Sequence, residues 1–319
     1  MSQTEDSVDC EKFARLSVGI RLISTAPGTG SDRNTSISIR TSSERTYKQP
    51  PNLSKMPLLR LGYKQIHYAD LKPQGDVRET FIMIHGLGSS QDYYYAVAQG
   101  LVAGGFRCIL FDNTGSARSP YTFVEQSVKT LGDDIIGILD VLEVPKAIVV
   151  GHSMGGIVAA DLAAERSDRI VAAVLVGPVY PSKEAAPRFG QRITIVEKEG
   201  IQPLADTVPH AAVGKNASPL VKAFIRELLL GQDPAGYISN CRIIVNAEVP
   251  NYSKISIPTL IIAGEEDTSA PMEGSKKMFE EIGTTEKRLE IMQGVGHWHC
   301  LEGPDEVVEL IQTFYDQIQ

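Results

Sequence analysis

The residue best placed to do chemistry is Ser153, which lies in the run GHSMGG at residues 151–156. An apolar segment, residues 147–150, precedes this run, and a helix-like segment, residues 157–164, follows it. A serine in the G-x-S-x-G arrangement at a strand-to-helix turn has a strained backbone that projects its hydroxyl, and the flanking glycines prevent clashes. The spacing predicts a nucleophilic serine; an ordinary glycine-rich turn is the alternative interpretation.

A serine hydroxyl needs a base within hydrogen-bond reach to accept its proton. His297 follows a predicted strand, residues 288–292, in the segment GVGHW, and the loop after that strand returns to the sheet edge that carries Ser153. His299 is the competing base, but it lies further from the glycine turn, and its neighbour Cys300 begins a run that is typical of buried chain. The remaining histidines have structural explanations in an early strand, in glycine-rich turns or in the insertion: His67, His85, His152 and His210.

The imidazole in turn needs a carboxylate that holds its tautomer and stabilises the imidazolium. Asp267 lies in the loop after the predicted strand at residues 259–263 and before Pro271, which stiffens the turn. Glu265 and Glu266 are the alternatives in the same acidic loop. Their spacing from the strand end favours Asp267 as the orienting carboxylate.

A developing oxyanion is stabilised by backbone N–H groups, at about 3 kcal/mol each. Met154 supplies one such N–H as the residue after the serine, and the predicted strand at residues 80–84 ends in His85-Gly86-Leu87-Gly88, where Leu87 supplies the second candidate. We also expect His85, Gly86 and Trp298 to contact substrate, since they flank these groups. A plain strand-to-helix turn is the alternative for residues 85–88.

The elements that must position these loops follow a regular pattern from Leu58 onward. Short apolar runs alternate with longer amphipathic segments, which predicts a mostly parallel sheet covered by helices on both faces. The candidate strands are residues 80–84, 107–111, 147–150, 171–176, 259–263 and 288–292. Helical spacing is visible at residues 128–142 and from Pro304 onward.

The alternation breaks between about residues 181 and 250, where helical patterns near residues 220–230 and 234–247 stand without a strand. We predict a core at residues 53–180 and 251–319 and a helical cap at residues 181–250. Such an insertion forms a lid over the carboxyl edge, where open α/β sheets place their ligands.

Residues 1–52 are rich in Ser, Thr, Arg and Pro and predict a disordered extension. Four scattered cysteines match no zinc spacing, and the start of the chain lacks a secretory pattern, so a cytoplasmic protein is expected, with mitochondrial import as the minor alternative. A net charge of −8 and apolar runs shorter than a bilayer span predict a soluble protein without nucleic acid or membrane partners.

Together, Ser153, Asp267 and His297 in this chain order resemble the α/β-hydrolase superfamily, across roughly residues 58–318. The match extends to His85-Gly86, to Pro271 after the acid loop, and to Glu302 and Pro304 after His297. In the loop at residues 112–119, Thr114 and Ala117 replace the arginine and glycine that are usual in the family. The resemblance implies an α/β-hydrolase fold with an eight-stranded sheet.

Within the superfamily the chain most resembles the 3-oxoadipate enol-lactonase-like hydrolases, which implies cleavage of an ester or lactone without metal or organic cofactor. Substrates of those enzymes are anionic, and five cap residues are candidates to bind a carboxylate: Arg188, Arg192, Lys222, Arg226 and Arg242. Solvated faces of lid helices are the alternative for most of them. The serine excludes dehalogenases and epoxide hydrolases, which use aspartate at this position.

The triad does not separate an esterase from a carbon-carbon bond hydrolase, a thioesterase or a cofactor-free haloperoxidase. An acyltransferase differs only in what deacylates the enzyme, and a small-molecule receptor with a vestigial triad is the alternative from another class. The expected partner is a small ester or lactone, and the expected state is a monomer or homodimer.

Overall fold

The computed structural model describes residues 58–182 and 186–319. The extension predicted at residues 1–52 lies outside the described residues. The strands are β1 (Leu58–Leu61), β2 (Lys64–Leu71), β3 (Thr80–Ile84), β4 (Arg107–Phe111), β5 (Ala147–His152), β6 (Ile170–Val176), β7 (Thr259–Gly264) and β8 (Lys287–Met292). The helices are α1 (Tyr95–Ala103), α2 (Val128–Val141), α3 (Met154–Glu165), α4 (Ala186–Glu199), α5 (Gln202–Ala211), α6 (Pro219–Leu230), α7 (Pro234–Val245), α8 (Met272–Glu281), α9 (His299–Glu302) and α10 (Pro304–Gln317).

The eight strands form one sheet in the order β1-β2-β4-β3-β5-β6-β7-β8. β2 is antiparallel to both of its neighbours, whereas the pairs from β4 to β8 are parallel. The carboxyl ends of β3, β5, β6, β7 and β8 therefore meet at one edge. This is the edge at which the loops with the predicted site residues begin.

Hydrophobic side chains fill both faces of the sheet. The central strands β3 and β5 are buried along their whole length, as is typical of parallel strands covered on both sides. α1 and α10 pack on one face, and α2, α3 and α8 pack on the other. The predicted α/β-hydrolase fold with an eight-stranded sheet is confirmed.

Two of the helices between β6 and β7, α6 and α7, begin at residues that mark a helix N-terminus in the sequence. Ser218 caps α6 and Asp233 caps α7, in each case by accepting a hydrogen bond from a backbone N–H of the first turn, and proline occupies the first helical position of both. The predicted helical segments near residues 220–230 and 234–247 match α6 and α7. α4 and α5, which the sequence pattern did not predict, complete this insertion.

No helix within residues 58–182 and 186–319 combines the length and the apolar character that a bilayer span requires.

Candidate active site

Ser153 lies between the end of β5 and the start of α3 with backbone angles φ 56° and ψ −114°. A non-glycine residue in this left-handed region is strained by about 1–3 kcal/mol and persists only where its surroundings hold it. Here the Ser153 N–H donates to the carbonyl oxygen of Val176 at 3.0 Å, and its carbonyl oxygen accepts from the Gly156 N–H at 2.9 Å. The strained turn is thus fixed from β6 and from α3.

The two glycines that flank Ser153 allow the close contacts of this turn. A Cβ on Gly151 would lie 2.2 Å from the carbonyl oxygen of Gly155, and a Cβ on Gly155 would lie 2.3 Å from that of Ile84. Both contacts are with backbone, which cannot easily move aside. The G-x-S-x-G spacing is therefore a packing requirement as well as a sequence signature.

The structure brings the predicted nucleophile, base and carboxylate into one hydrogen-bonded row. His297 Nε2 lies 2.9 Å from Ser153 Oγ, and His297 Nδ1 lies 2.8 Å from Asp267 Oδ2. Because an ionised carboxylate only accepts hydrogen bonds, Nδ1 carries the proton and Nε2 is free to accept from the serine hydroxyl. All three side chains are buried.

Asp267 is held in its ionised form by its surroundings. Burial alone opposes ionisation, but attraction to His297, the hydrogen bond from that ring, and backbone N–H donation lower the pKa of Asp267 overall. The second oxygen, Oδ1, accepts from the backbone N–H groups of Ser269 at 2.7 Å and Ala270 at 2.8 Å. A carboxylate fixed in this way can orient the imidazole and stabilise its positive charge.

The alternative carboxylates have other partners. Glu265 accepts from the backbone N–H of Gly294 at 2.9 Å. Glu266 accepts from the backbone N–H of Lys215 at 2.7 Å and pairs with the Lys215 ammonium at 2.8 Å. Both acids therefore secure loops around the site without reaching His297.

The alternative base, His299, is fully buried behind the row. Its Nδ1 donates to the carbonyl oxygen of His297 at 2.9 Å, and the same oxygen accepts from His152 Nε2 at 2.8 Å. Burial lowers the pKa of His299 to about 4 and that of His152 well below its usual value. Two neutral imidazoles thus hold the backbone of His297 in place, and the His152 ring stacks on Tyr93 at 4.3 Å between centroids.

Sequence reasoning missed the role of Glu302 in this loop. Its carboxylate accepts three backbone N–H groups, from Gly214 at 2.8 Å, Gly296 at 3.0 Å and Trp298 at 2.9 Å. Gly296 and Trp298 flank His297, whereas Gly214 lies in the segment between α5 and α6. The offset of five residues from the histidine was the available signal, but the partners became visible only in the fold.

The predicted oxyanion donors lie on either side of Ser153. Met154 is the first residue of α3, so its N–H has no acceptor within the helix. Within the described ranges no residue accepts a hydrogen bond from the Leu87 N–H, and Leu87 lines the pocket at Ser153. A Cβ on Gly86 would lie 2.9 Å from Ser153 Cβ, so glycine lets this loop approach the serine closely.

Of the three expected substrate contacts, Trp298 lines the pocket beside His297. His85 is fully buried instead, with Nδ1 donating to the Gly86 carbonyl oxygen at 2.8 Å and Nε2 accepting from the Asn113 N–H at 3.0 Å. Neither His85 nor Gly86 is among the pocket-lining residues. His85 and Gly86 thus do not line the pocket as expected, and they support the loop that carries Leu87.

The pocket over Ser153 has a volume of only about 20 Å³, and residues of α4 form part of its wall. Arg188 and Arg192 reach into its wall together with Phe189. Within the described ranges, no carboxylate lies within 4 Å of either guanidinium. The other three cationic candidates lie elsewhere: Arg226 pairs with Asp206, Arg242 with Glu125, and Lys222 lines a separate hollow on the surface.

Known proteins share this arrangement of elements. The profile of the family Hydrolase_4, described as "Serine aminopeptidase, S33", matches residues 75–303. The 3-oxoadipate enol-lactonase 2 of Acinetobacter baylyi is 27% identical over 61% of the chain and 73% of that protein. The 2-hydroxy-6-oxo-6-phenylhexa-2,4-dienoate hydrolase of Comamonas testosteroni is 26% identical over 75% of the chain and 88% of that protein. The crystal structure of an enol-lactonase from Burkholderia xenovorans LB400 has a TM-score of 0.75 at 24% identity, covering 82% of the chain and 100% of that structure.

Proposed function

Since the chain belongs to the Hydrolase_4 family, and with it to the α/β-hydrolase superfamily, we propose that it cleaves a small carboxylic ester or lactone through an acyl-enzyme on Ser153. The membership itself establishes a hydrolase with enol-lactonases among its relatives. The observation that carries the finer proposal is the 2.9 Å contact between Ser153 Oγ and His297 Nε2, backed by Asp267.

In the acylation step, Ser153 Oγ attacks the ester carbonyl while its proton passes to His297 Nε2. The carbonyl oxygen becomes an oxyanion, which the backbone N–H groups of Leu87 and Met154 stabilise. Collapse of the tetrahedral intermediate breaks the bond to the alkoxide, and the alkoxide takes the proton from Nε2. Asp267 remains ionised throughout, consistent with its lowered pKa.

In the deacylation step, a water molecule repeats this sequence. His297 Nε2 removes its proton as the water oxygen attacks the acyl carbon, and the same proton then returns to Ser153 Oγ when the acyl bond breaks. The products are a carboxylic acid, which ionises, and the regenerated enzyme. For a lactone substrate both products are parts of one hydroxy acid.

The charge of the pocket favours a substrate that carries a carboxylate. Arg188 and Arg192 line the wall over Ser153, and within the described ranges neither pairs with an acid. A guanidinium binds a carboxylate through two parallel hydrogen bonds. The names of two relatives, a 3-oxoadipate enol-lactonase and a dienoate hydrolase, refer to carboxylate compounds.

The test is hydrolysis of a panel of p-nitrophenyl esters and of simple and carboxylated lactones by the wild-type chain and by Ser153→Ala. We expect multiple turnovers by the wild type and a loss of at least about 10⁴-fold in kcat for the variant, with an unchanged melting temperature. Retention of more than a few per cent of kcat by Ser153→Ala would rule out the acyl-enzyme.

A second candidate is hydrolysis of a carbon-carbon bond in a dienoate, which the similarity to the Comamonas testosteroni hydrolase over 88% of its length favours. The same triad serves that chemistry, so product analysis decides between the two. A receptor would show a single slow turnover and ligand-dependent capture of a partner. A transferase would form the new ester when a competing alcohol is present.

A further inference from the structure

A second cavity lies beside the pocket over Ser153. We call it the outer cavity; it has a volume of about 450 Å³ and shares Val179, Arg188 and Ser269 with the smaller pocket. A volume of about 20 Å³ over the serine accommodates little more than one water molecule. Any substrate larger than a simple acetate must therefore extend from Ser153 into neighbouring space.

Arg188 lines both spaces and is held where they meet. Its guanidinium donates to the carbonyl oxygens of Thr268 at 3.0 Å and Ser269 at 2.5 Å, both in the loop after Asp267. These acceptors are neutral, so a substrate carboxylate is a stronger competitor for the same donors. Displacement of this one side chain joins the outer cavity to the pocket at the serine.

We propose that the outer cavity is the binding subsite for an apolar arm of the substrate, aliphatic or aromatic, attached to the ester that Ser153 attacks. This inference rests on the proposed function. The apolar part of its lining comprises Val179, Ala270 and Pro271, and Tyr180 supplies an aromatic face. Its charged residues lie at two ends, Arg188 where it meets the pocket and Glu273 and Lys277 on α8.

The aromatic wall is fixed in place. The Tyr180 hydroxyl donates to the Glu281 carboxylate at 3.1 Å, and the ring stacks on Tyr252 with 5.8 Å between centroids. The Lys277 ammonium lies 4.4 Å from the centre of the Tyr180 ring. The cavity thus has a preformed wall, as is usual for small-molecule sites of 300–1,000 Å³.

Gly274 is the residue that leaves the outer cavity open. It lies in the first turns of α8 in an ordinary helical conformation, so its backbone does not require glycine. A Cβ there would meet Tyr180 Cβ at 3.1 Å, and no other side chain lies within 4 Å. A larger side chain at this position would therefore project along Tyr180 and fill the space that we assign to the arm.

The experiment compares kcat/KM for p-nitrophenyl acetate and octanoate, and for methyl and octyl acetate, in Gly274→Leu and wild type. Because one methylene in a specificity pocket changes kcat/KM about tenfold or more, we expect the long-to-short ratio to fall at least about tenfold in one series. Gly190→Leu is the matched control, since it makes the same change in α4 with no atom within 4 Å of the new Cβ.

Tyr180→Ala provides a second variant, which removes the aromatic wall of the outer cavity. Because the arm then loses its contacts with that wall, the same ratio should fall in this variant too, even if Gly274→Leu were to fold poorly. Ratios that stay within twofold of wild type for both variants in both series would overturn the subsite. A wild type that hydrolyses neither acetate nor octanoate would count against the proposed function instead.

Discussion

The carboxylate of Glu302 offers a stringent test of how the site is held. It accepts hydrogen bonds from the N–H groups on both sides of His297, at Gly296 and Trp298, and from Gly214 in the cap. We expect Glu302→Gln to reduce kcat strongly while leaving KM almost unchanged. The physical reason is that the carboxylate positions the imidazole and does not contact substrate.

The expected loss in the free energy of unfolding follows from the three hydrogen bonds that the Glu302 carboxylate accepts. Glutamine has a single carbonyl oxygen, so when it replaces Oε2 at Gly214 and Gly296, its NH₂ group faces the Trp298 N–H, another donor. A hydrogen bond to a charged group contributes about 1.5–3 kcal/mol, and an unpaired donor adds a similar cost, so we expect a loss of about 2–4 kcal/mol in the free energy of unfolding. At roughly 2–4 °C per kcal/mol, the melting temperature should fall by roughly 4–16 °C.

A loss of stability by itself would leave kcat unchanged at a temperature where the variant is folded, whereas a displaced imidazole lowers kcat directly. A displacement of about 1 Å in a catalytic group costs about 100-fold, so kcat should fall by about 10- to 100-fold at a temperature where the variant is fully folded. Steady-state kinetics on one ester, together with thermal unfolding, measure both quantities. Glu309→Gln, the same change at an exposed position of α10, is the control. Wild-type kcat in a stably folded Glu302→Gln would refute the reasoning.

Three further predictions concern the histidines and the arginines. His297→Ala should be inactive. His299→Asn, whose amide can still donate to the His297 carbonyl oxygen, should keep kcat within about tenfold of wild type. If His299→Asn were inactive and His297→Ala active, His299 would be the base instead. Because the pKa of His299 is lowered to about 4, the unfolded chain takes up a proton before the folded chain as pH falls, and stability is lost between about pH 6.5 and 4. From this residue alone, urea unfolding should show about 2 kcal/mol less stability at pH 5 than at pH 7, and a shallower dependence in His299→Asn. Arg192→Gln should raise KM about tenfold for a carboxylated lactone but not for its uncharged analogue, with the surface variant Arg226→Gln as control; equal effects on both lactones would contradict an anion site.

Most of the strands that the sequence predicted are buried central strands, but β8 at the sheet edge was predicted as well, although only its last residue is buried. β3 and β4 match their apolar runs residue for residue, because a central strand must be apolar throughout. β1 and β2 gave a weaker signal. Lys64, the first residue of β2, is buried, and its ammonium is stabilised there by pairing with Asp134 at 2.7 Å and by donation to Gln126 Oε1 at 3.0 Å. Such a long-range partner leaves no local pattern.

The same distinction applies to the cap. α6 and α7 have a capping side chain followed by proline and a sequence that is apolar on average. α4 buries only Phe189 and Val196 among its described side chains, and α5 carries prolines at its start and near its end. A helix that covers a pocket with charged residues such as Arg188 and Arg192 buries few apolar side chains, so its sequence is polar on average and gives little sign of a packed helix.

Within the site, sequence order and strand position sufficed to select Ser153, Asp267 and His297, because each lies just beyond the carboxyl end of a predicted strand. The contacts that support the site could not be predicted from the sequence, for a physical reason. Glu302 and Gly214 are 88 positions apart, and their hydrogen bond depends on how the cap lies on the His297 loop. Residues that support a site through backbone contacts lack the spacing that marks residues doing the chemistry.

The cap is attached to the site by two kinds of contact of unequal consequence. Between α5 and α6, the Ala212 carbonyl oxygen accepts from the His297 N–H at 2.9 Å, and the Gly214 N–H donates to Glu302. Movement of that segment would remove both contacts from the His297 loop. α4 contacts the acid loop through the two hydrogen bonds of Arg188 to carbonyl oxygens, neither of which belongs to Asp267. The same two peptide groups donate through the Ser269 and Ala270 N–H groups to Asp267 Oδ1, so displacement of Arg188 would act on the row of Ser153, His297 and Asp267 only indirectly, through the peptides that hold the carboxylate.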